Sequence, residues 1–314
     1  MKKALLTIAI PTFNENHKLD LQIERLLSQC RNLPVKIRIF DNNPFSDFDN
    51  EKYPLNSFDY LKNPDNLGGD RNIFSCILNC NTEYLWILST NDLIKFDSIV
   101  GLMNEINIAQ LNDCCFVHMG QKKCCFTTGI DEFVTEIVYE DSFTISRCIY
   151  NVRMLKEKLI DYYAVIKSNQ GQAYFIFSFL SQKQDGKCYF TNFEPIERYL
   201  PSEWSKMKFI KNTLGILPFY KTLFRNNKHL FNTIKNKIQN MLYFQLFISR
   251  SYQRMNVFYF VYYFFKINSL GVNNISKAEL KIFIVSVINF EYYKKLRQIN
   301  WDINEEDDFK SHSC

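Results

Sequence analysis

Three clusters of polar residues in the first hundred positions each follow an apolar run. They are Pro11-Thr12-Phe13-Asn14-Glu15, Asp41-Asn42-Asn43-Pro44 and Ser89-Thr90-Asn91-Asp92. A fourth cluster, Asn63-Pro64-Asp65-Asn66-Leu67-Gly68-Gly69-Asp70-Arg71-Asn72, stands between the last two. A carboxylate such as Asp41 accepts hydrogen bonds from the N–H and O–H groups of a ligand. The plainer alternative is an Asp that shapes a turn. Gly68 and Gly69 permit close approach of a ligand to the backbone, a helix opening just after them favours an anion, and Arg71 adds a charge suited to phosphate. Asp92 can hold a hard cation such as Mg²⁺ if waters and substrate phosphates complete the shell, with Asn91 or Ser89 lending a neutral oxygen. No second acid stands beside it, and a decayed site is the alternative.

The segments between these clusters predict how they are positioned. Residues 4–10 and 84–88 are apolar runs of buried-strand length, and 35–40 alternates as a strand. Ile23, Leu26, Leu27 and Cys30 recur at helical spacing, as do Ile73, Cys76, Ile77 and Cys80, and again Ile99, Leu102, Met103 and Ile106. With a short strand near 58–61, the order is strand, helix, strand, strand, helix, strand, helix. That alternation builds a mainly parallel sheet with helices on both faces. The polar clusters then fall at strand C-termini, where open α/β sheets hold ligands. Further on, Cys114–Met119 and Cys124–Thr128 flank Gly120-Gln121-Lys122-Lys123 and predict a hairpin. Phe143–Ser146 and Cys188–Phe193 read as strands, Arg153–Leu159 and Tyr174–Leu180 as helices.

The chain has 314 residues, 46% hydrophobic and 23% charged, which suits a folded protein and argues against disorder. Its net charge of +5 conceals an asymmetry: from Lys206 to Arg297 there are 16 Lys and Arg against Glu279 and Glu291 alone. The rest of the chain is therefore net acidic, and the C-terminal part is the one suited to an anionic partner. That part is helical, basic and aromatic. Its longest apolar run, Val257–Phe265, is too short to span a bilayer. Helices with Lys and Arg beside large apolar side chains suit an anionic membrane surface. Nucleic acid is not expected, because no RNA-binding signature accompanies the charge. The ten Cys are read as reduced thiols in a cytosolic chain. Adjacent Cys on a strand face opposite ways, which spoils a shared zinc site at Cys114-Cys115 and Cys124-Cys125.

The segments LLTIAIPTFNE, IRIFDNNP, NPDNLGGDRNI and EYLWILSTNDLI, in that order, resemble the nucleotide-sugar half of family-two glycosyltransferases with the GT-A fold. SFTISRCIYNVRML resembles the segment that follows in members that build bacterial surface polysaccharides. The resemblance covers roughly residues 1–200. It implies a GT-A-like, Rossmann-like α/β domain over 1–200 and a helical, membrane-peripheral extension over 201–314. It also implies transfer, with inversion, of one sugar from a nucleotide-sugar donor to a hydroxyl of a growing glycan. That glycan would be of capsule, O-antigen or lipooligosaccharide type, carried on a polyprenyl lipid at the inner face of the cell membrane.

Carried over by position, Pro11, Thr12, Asn14 and Glu15 line the nucleotide, and Asp41 with Asn42 meets its base or ribose. Gly68, Gly69 and Arg71 take the phosphates. Asn91 and Asp92 stand where the family holds a divalent metal, Mn or Mg, here weakly bound or dispensable. The slot for a catalytic acidic pair reads Ser168-Asn169-Gln170-Gly171-Gln172 and has no carboxylate. Asp161 is then the nearest candidate base, and Gln170 the candidate for positioning the acceptor. A catalytically degenerate GT-A protein, acting as a binding or partner subunit, is the competing expectation.

Overall fold

The computed structural model describes residues 4–14, 16–137, 145–160, 171–198, 206–251 and 257–269. These fall into two compact units, the first holding the described residues up to 198 together with 218–230, the second holding 206–217, 231–251 and 257–269.

The first unit is built on an eight-stranded sheet. Its first half runs β1 (Leu6–Thr12), α1 (Asn16–Cys30), β2 (Val35–Asp41), β3 (Asp59–Lys62), α2 (Gly69–Asn79), β4 (Tyr84–Ile87), β5 (Asp92–Ile94) and α3 (Ser98–Leu111). The second half adds β6 (Cys114–His118), β7 (Cys125–Thr128), α4 (Gly129–Glu136), a short 3₁₀ turn (Ile145–Arg147) and β8 (Cys148–Asn151). It continues with α5 (Val152–Glu157), α6 (Gly171–Gln182), β9 (Lys187–Phe190) and β10 (Ile196–Arg198). The order across the sheet is β3-β2-β1-β4-β8-β6-β9-β7, with β10 and β5 forming a separate two-stranded ribbon. β1 pairs parallel with β2 and β4, β2 parallel with β3, and β6 parallel with β9, while β8 runs antiparallel between β4 and β6. The sheet is mainly parallel and flanked by helices.

β1 and β4 are apolar throughout because both of their faces are covered. Leu6, Ile8 and Ile10 pack with Leu19, Ile23 and Leu26 of α1 and with Ile99, Leu102 and Ile106 of α3. The crossover through α1 steps from β1 outward to β2, and the one through α2 steps back inward to β4. Crossovers of one hand that step in opposite directions put their helices on opposite faces. Trp86 in β4 is fully buried, and its indole N–H donates to the Ser146 carbonyl at 2.7 Å.

Two expectations are corrected. Cys114–Met119 and Cys124–Thr128 do not form a hairpin: β9 lies between β6 and β7, parallel to the first and antiparallel to the second. The Gly120 and Gln121 amides donate to the Phe193 and Thr191 carbonyls, each at 2.9 Å, so the connecting turn closes on the segment after β9. Of the strand expected at Phe143–Ser146, residues 143 and 144 lie outside the described residues, while Ile145–Arg147 forms a 3₁₀ turn and a strand follows at Cys148–Asn151.

The stretches 206–251 and 257–268 are helical apart from the turn at 224–227, as α7 (Lys206–Leu223), α8 (Lys228–Ser251) and α9 (Val257–Asn268). Pro218 lies inside α7, and the division between the units falls there. Tyr220 and Phe224 belong to the first unit, where Tyr220 meets Phe177 of α6 edge-on at 5.2 Å between ring centroids. Among the described residues no helix is long and apolar enough to cross a membrane.

Candidate functional site

β1, β2, β4, β6 and β9 all point the same way, so their C-terminal ends share one edge of the sheet. At that edge Thr12 is the register partner of Asp41, and β1 lies between β2 and β4. Pro11, Thr12, Asn14, Asp41, Asn42, Gly68, Gly69, Arg71, Asn91 and Asp92 all stand on this edge or on the loops that leave it. Glu15, Asp161 and Gln170 lie outside the described residues. A surface hollow of about 560 Å³, lined by residues such as Thr82, Glu83, Asn151 and Lys156, opens at the opposite edge, among the start of β4 and the end of β8. That end of the sheet lacks the converging polar clusters, so the ligand edge is assigned by strand polarity and chemistry rather than by volume.

Asp41 is 1% exposed. Its Oδ2 accepts from the Tyr60 hydroxyl at 2.6 Å and its Oδ1 from the Asn43 amide at 2.9 Å. Burial, and next the bond to Asp41, push the Tyr60 hydroxyl up to about 12. Asp41 thus serves the turn and faces a phenol at the same time. Each carboxylate oxygen has a second lone pair for a ligand donor.

Asn42 is an anchor for the following loop. Its Oδ1 accepts from the Leu67 amide at 2.9 Å and from Asn63 Nδ2 at 3.1 Å, and its Nδ2 donates to Asn66 Oδ1 at 2.9 Å. Asn72 completes the network, donating to the Phe40 carbonyl and accepting from Asn63 Nδ2. These amides hold residues 63–68 so that Gly68, at φ 79°, opens α2. A Cβ added at Gly68 or Gly69 would meet nothing within 4 Å, and both glycines are exposed together with Arg71. The N-terminus of α2 is open to an approaching anion.

The segment after β4, with β5, is held from α1. Gln22 donates to the Asp92 carbonyl and accepts from the Ile94 amide, both at 3.1 Å. Arg25 donates to the Ile94 carbonyl at 2.7 Å, and Gln29 to the Lys95 carbonyl at 3.0 Å. One turn earlier, Lys18 Nζ donates to Asn91 Oδ1 at 2.8 Å. Lys18, Gln22, Arg25 and Gln29 form one stripe of the helix, and the stripe fastens the segment 91–95. Ser89 Oγ accepts from the Asn91 amide at 3.2 Å and tightens the same turn.

Asp92 is half-buried, and its carboxylate makes no hydrogen bond or ion pair with the described residues. Among those residues no three His, Cys, Asp or Glu come together in a metal-holding group. With Asn91 Oδ1 occupied by an ammonium, a single carboxylate does not amount to a donor set for a tightly held divalent ion.

A carboxylate that the sequence did not single out also stands on this edge. Glu194, in the segment after β9, pairs with Arg147 at 2.8 Å, and both side chains are mostly buried. Burial pushes the Glu194 carboxyl above its usual range, although the Arg147 and Lys95 charges pull it down. Gly120 (φ +73°) lies directly against Glu194. The pairing of 191–195 with 118–121 that creates this contact is long-range and has no local signal.

No family model matches the chain. A stretch of 112 residues is 28% identical to abequosyltransferase RfbV of Salmonella typhimurium strain LT2. The match covers 33% of this chain and 33% of that protein, about a third of the relative's length. Among solved structures, S. aureus TarS 1–349 in complex with UDP matches with a TM-score of 0.58 at 12% identity, over 94% of this chain and 92% of that one. The same protein in complex with UDP-GlcNAc gives 0.57 at 12% identity over the same shares. The mannosyltransferase PcManGT from Pyrobaculum calidifontis, in complex with GDP-Man and Mn²⁺, gives 0.51 at 8% identity, over 96% and 88%. At such identities the likeness concerns the fold, and the chain has the GT-A fold.

Proposed function

We propose that this GT-A chain is a glycosyltransferase that moves one sugar from a nucleotide-sugar donor to a hydroxyl of a growing surface glycan. One observation carries the reading. Thr12, Asp41, the open N-terminus of α2 and the Asn91-Asp92 turn meet at a single sheet edge. The fold around them is one in which TarS has been solved with UDP-GlcNAc and PcManGT with GDP-Man. The partial match to an abequosyltransferase points the same way.

In this reading the nucleoside lies along Pro11, Thr12, Asn14 and Glu15, with Asp41 accepting a hydrogen bond from its base or ribose. Gly68, Gly69 and Arg71 take phosphate at the N-terminus of α2. Asn42 acts through the loop it anchors. Transfer with inversion needs a base for the acceptor hydroxyl; Asp161 and, for positioning, Gln170 are assigned that side by the sequence alone. PcManGT was solved with Mn²⁺, and Asp92 is the side chain placed to meet such an ion if one enters, weakly held or dispensable.

The acceptor is proposed to be a glycan on a polyprenyl lipid, approached from the cytoplasmic side of the membrane. The support is in the second unit. On α9, Phe258, Tyr262 and Phe265 are 81%, 55% and 58% exposed at helical spacing, with Lys266 beside them, in the basic part of the chain. Aromatic side chains next to cations suit the boundary of an anionic bilayer.

A thermal-shift panel of UDP, GDP, dTDP and CMP sugars tests the donor site, since a ligand bound only by the folded chain raises its midpoint. One nucleotide class should raise it in the wild type and not in Asp41→Ala. No shift with any class would contradict the reading. The sparse acid at Asp92 favours one competitor, a GT-A protein that binds donor without turning it over; such a protein would shift but release no nucleotide.

A further inference from the structure

We infer that Tyr60 is a positioning residue that, through Asp41, selects the class of nucleobase at the donor site. The class is the one whose ring nitrogen carries a hydrogen, as in uracil, thymine and guanine. Cytosine and adenine, whose corresponding nitrogen is bare, are disfavoured. The inference rests on the donor site proposed above and names the kind of base that it takes.

The geometry begins in the sheet. β2 and β3 run parallel, with Ile39 opposite Tyr60 and Asp41 opposite Lys62. Residues two apart on a strand share a face, so Tyr60 stands on the face of Asp41 and reaches along the sheet toward its end. Its hydroxyl donates to Asp41 Oδ2 at 2.6 Å, the length of a charge-assisted bond between a hydroxyl and a carboxylate. The ring packs on Phe48, which is 7% exposed, at 5.4 Å between centroids. The Asn43 amide holds the other carboxylate oxygen at 2.9 Å. Each oxygen has a fixed donor, and the carboxylate cannot turn without losing both.

The direction of the Tyr60 bond decides what Asp41 has left to offer. Burial, and next the bond to Asp41, push the phenol up to about 12, so it keeps its proton and remains the donor. At 1% exposure water does not complete the shell of the carboxylate, and each oxygen keeps a lone pair for a further donor. Asn42 is the other buried polar side chain at this point. Its amide is taken up by Asn63, Asn66 and the Leu67 amide. What Asp41 offers a base is therefore acceptors alone, at fixed positions.

Uracil and thymine meet an acceptor with the N–H of the ring, and guanine with its ring N–H and the amino group beside it. Cytosine and adenine also carry an amino group, but the ring nitrogen next to it holds a lone pair that a carboxylate repels. A site that is built to receive a hydrogen bond rejects a ligand that cannot give it, because its own buried group is then left unpaired. Without the Tyr60 hydroxyl the carboxylate is free to swing toward an amino group, and the discrimination goes.

Titration calorimetry on the full chain tests this, using UDP, dTDP, GDP, CDP and ADP with Mn²⁺ present. One of the first three should bind about tenfold or more tightly than CDP and ADP. Tyr60→Phe removes only the hydroxyl. It should bring that ratio down to within about threefold, with the affinities for CDP and ADP held or raised. A loosened fold would weaken all five alike, so the ratio separates positioning from damage. An unchanged ratio in a folded Tyr60→Phe would overturn the role of Tyr60. Tightest binding of CDP or ADP would overturn the base class and leave the donor site standing. If Tyr60→Phe fails to fold, the wild-type ranking of the five decides alone. Absence of binding by any of them would overturn the donor site and this inference with it.

Discussion

Gly120 and Glu194 show how single residues set the shape of the ligand edge. Gly120 adopts φ +73°, a region that costs an L-residue roughly 1–2 kcal/mol, and a Cβ there would also run into Glu194 Oε2. Gly120→Ala should therefore lose at least about 1–2 kcal/mol in urea denaturation. Glu194 itself predicts a pH dependence. A carboxyl whose pKa rises on folding binds its proton more tightly in the folded chain than in the unfolded one. Stability then falls as pH climbs from the ordinary glutamate range through the raised value. Glu194→Gln cannot ionise, so its urea midpoints between about pH 4 and 7 should lack that descent. A wild-type midpoint that rises over the same window would mean that the Arg147 ion pair outweighs burial.

At the scale of elements, α1 acts as a bracket for β5. Gln22 is 1% exposed and uses both ends of its amide on Asp92 and Ile94. Gln22→Ala leaves a buried amide and a carbonyl without partners, at about 1–3 kcal/mol for such a group. Hydrogen exchange should show the Ile94 amide opening sooner in that variant, and donor affinity should weaken although Gln22 touches no donor. β1 and β4 were legible as apolar runs covered on both faces, and β2 and the helices by the period of the face they bury. The polar stripe Lys18, Gln22, Arg25 and Gln29 has the same helical period but reads as a solvated surface. Only the fold brings the 91–95 backbone against it. The expected hairpin failed for a related reason: β6 and β7 both satisfy their backbone through β9, about sixty residues further on. The partners of Glu194 were hidden by that same pairing. Asn42 was expected to meet the nucleotide; in the structure its amide bonds Asn63, Asn66 and the Leu67 amide and anchors that loop, contacts that no local sequence pattern announces.

For the whole molecule, charge and exposed aromatics divide the chain into an α/β unit with the polar edge and a basic helical part. If the helical part meets a membrane, the chain should sediment with vesicles rich in anionic lipid and be released as salt rises, because surface charge is screened. Joint replacement of Phe258 and Phe265 by Ser should weaken that binding without moving the thermal midpoint. Equal binding to neutral vesicles would remove the charge from the explanation. The account as a whole stands on transfer. Its most direct measurement is release of nucleoside diphosphate from the donor class that binds, with lipid-linked glycan extracted from bacterial membranes as acceptor. The account predicts acceptor-dependent release by the wild type and little or none by Asp41→Ala, which loses the donor contact. Donor binding with no release under any acceptor would contradict it and identify the chain as a binding subunit.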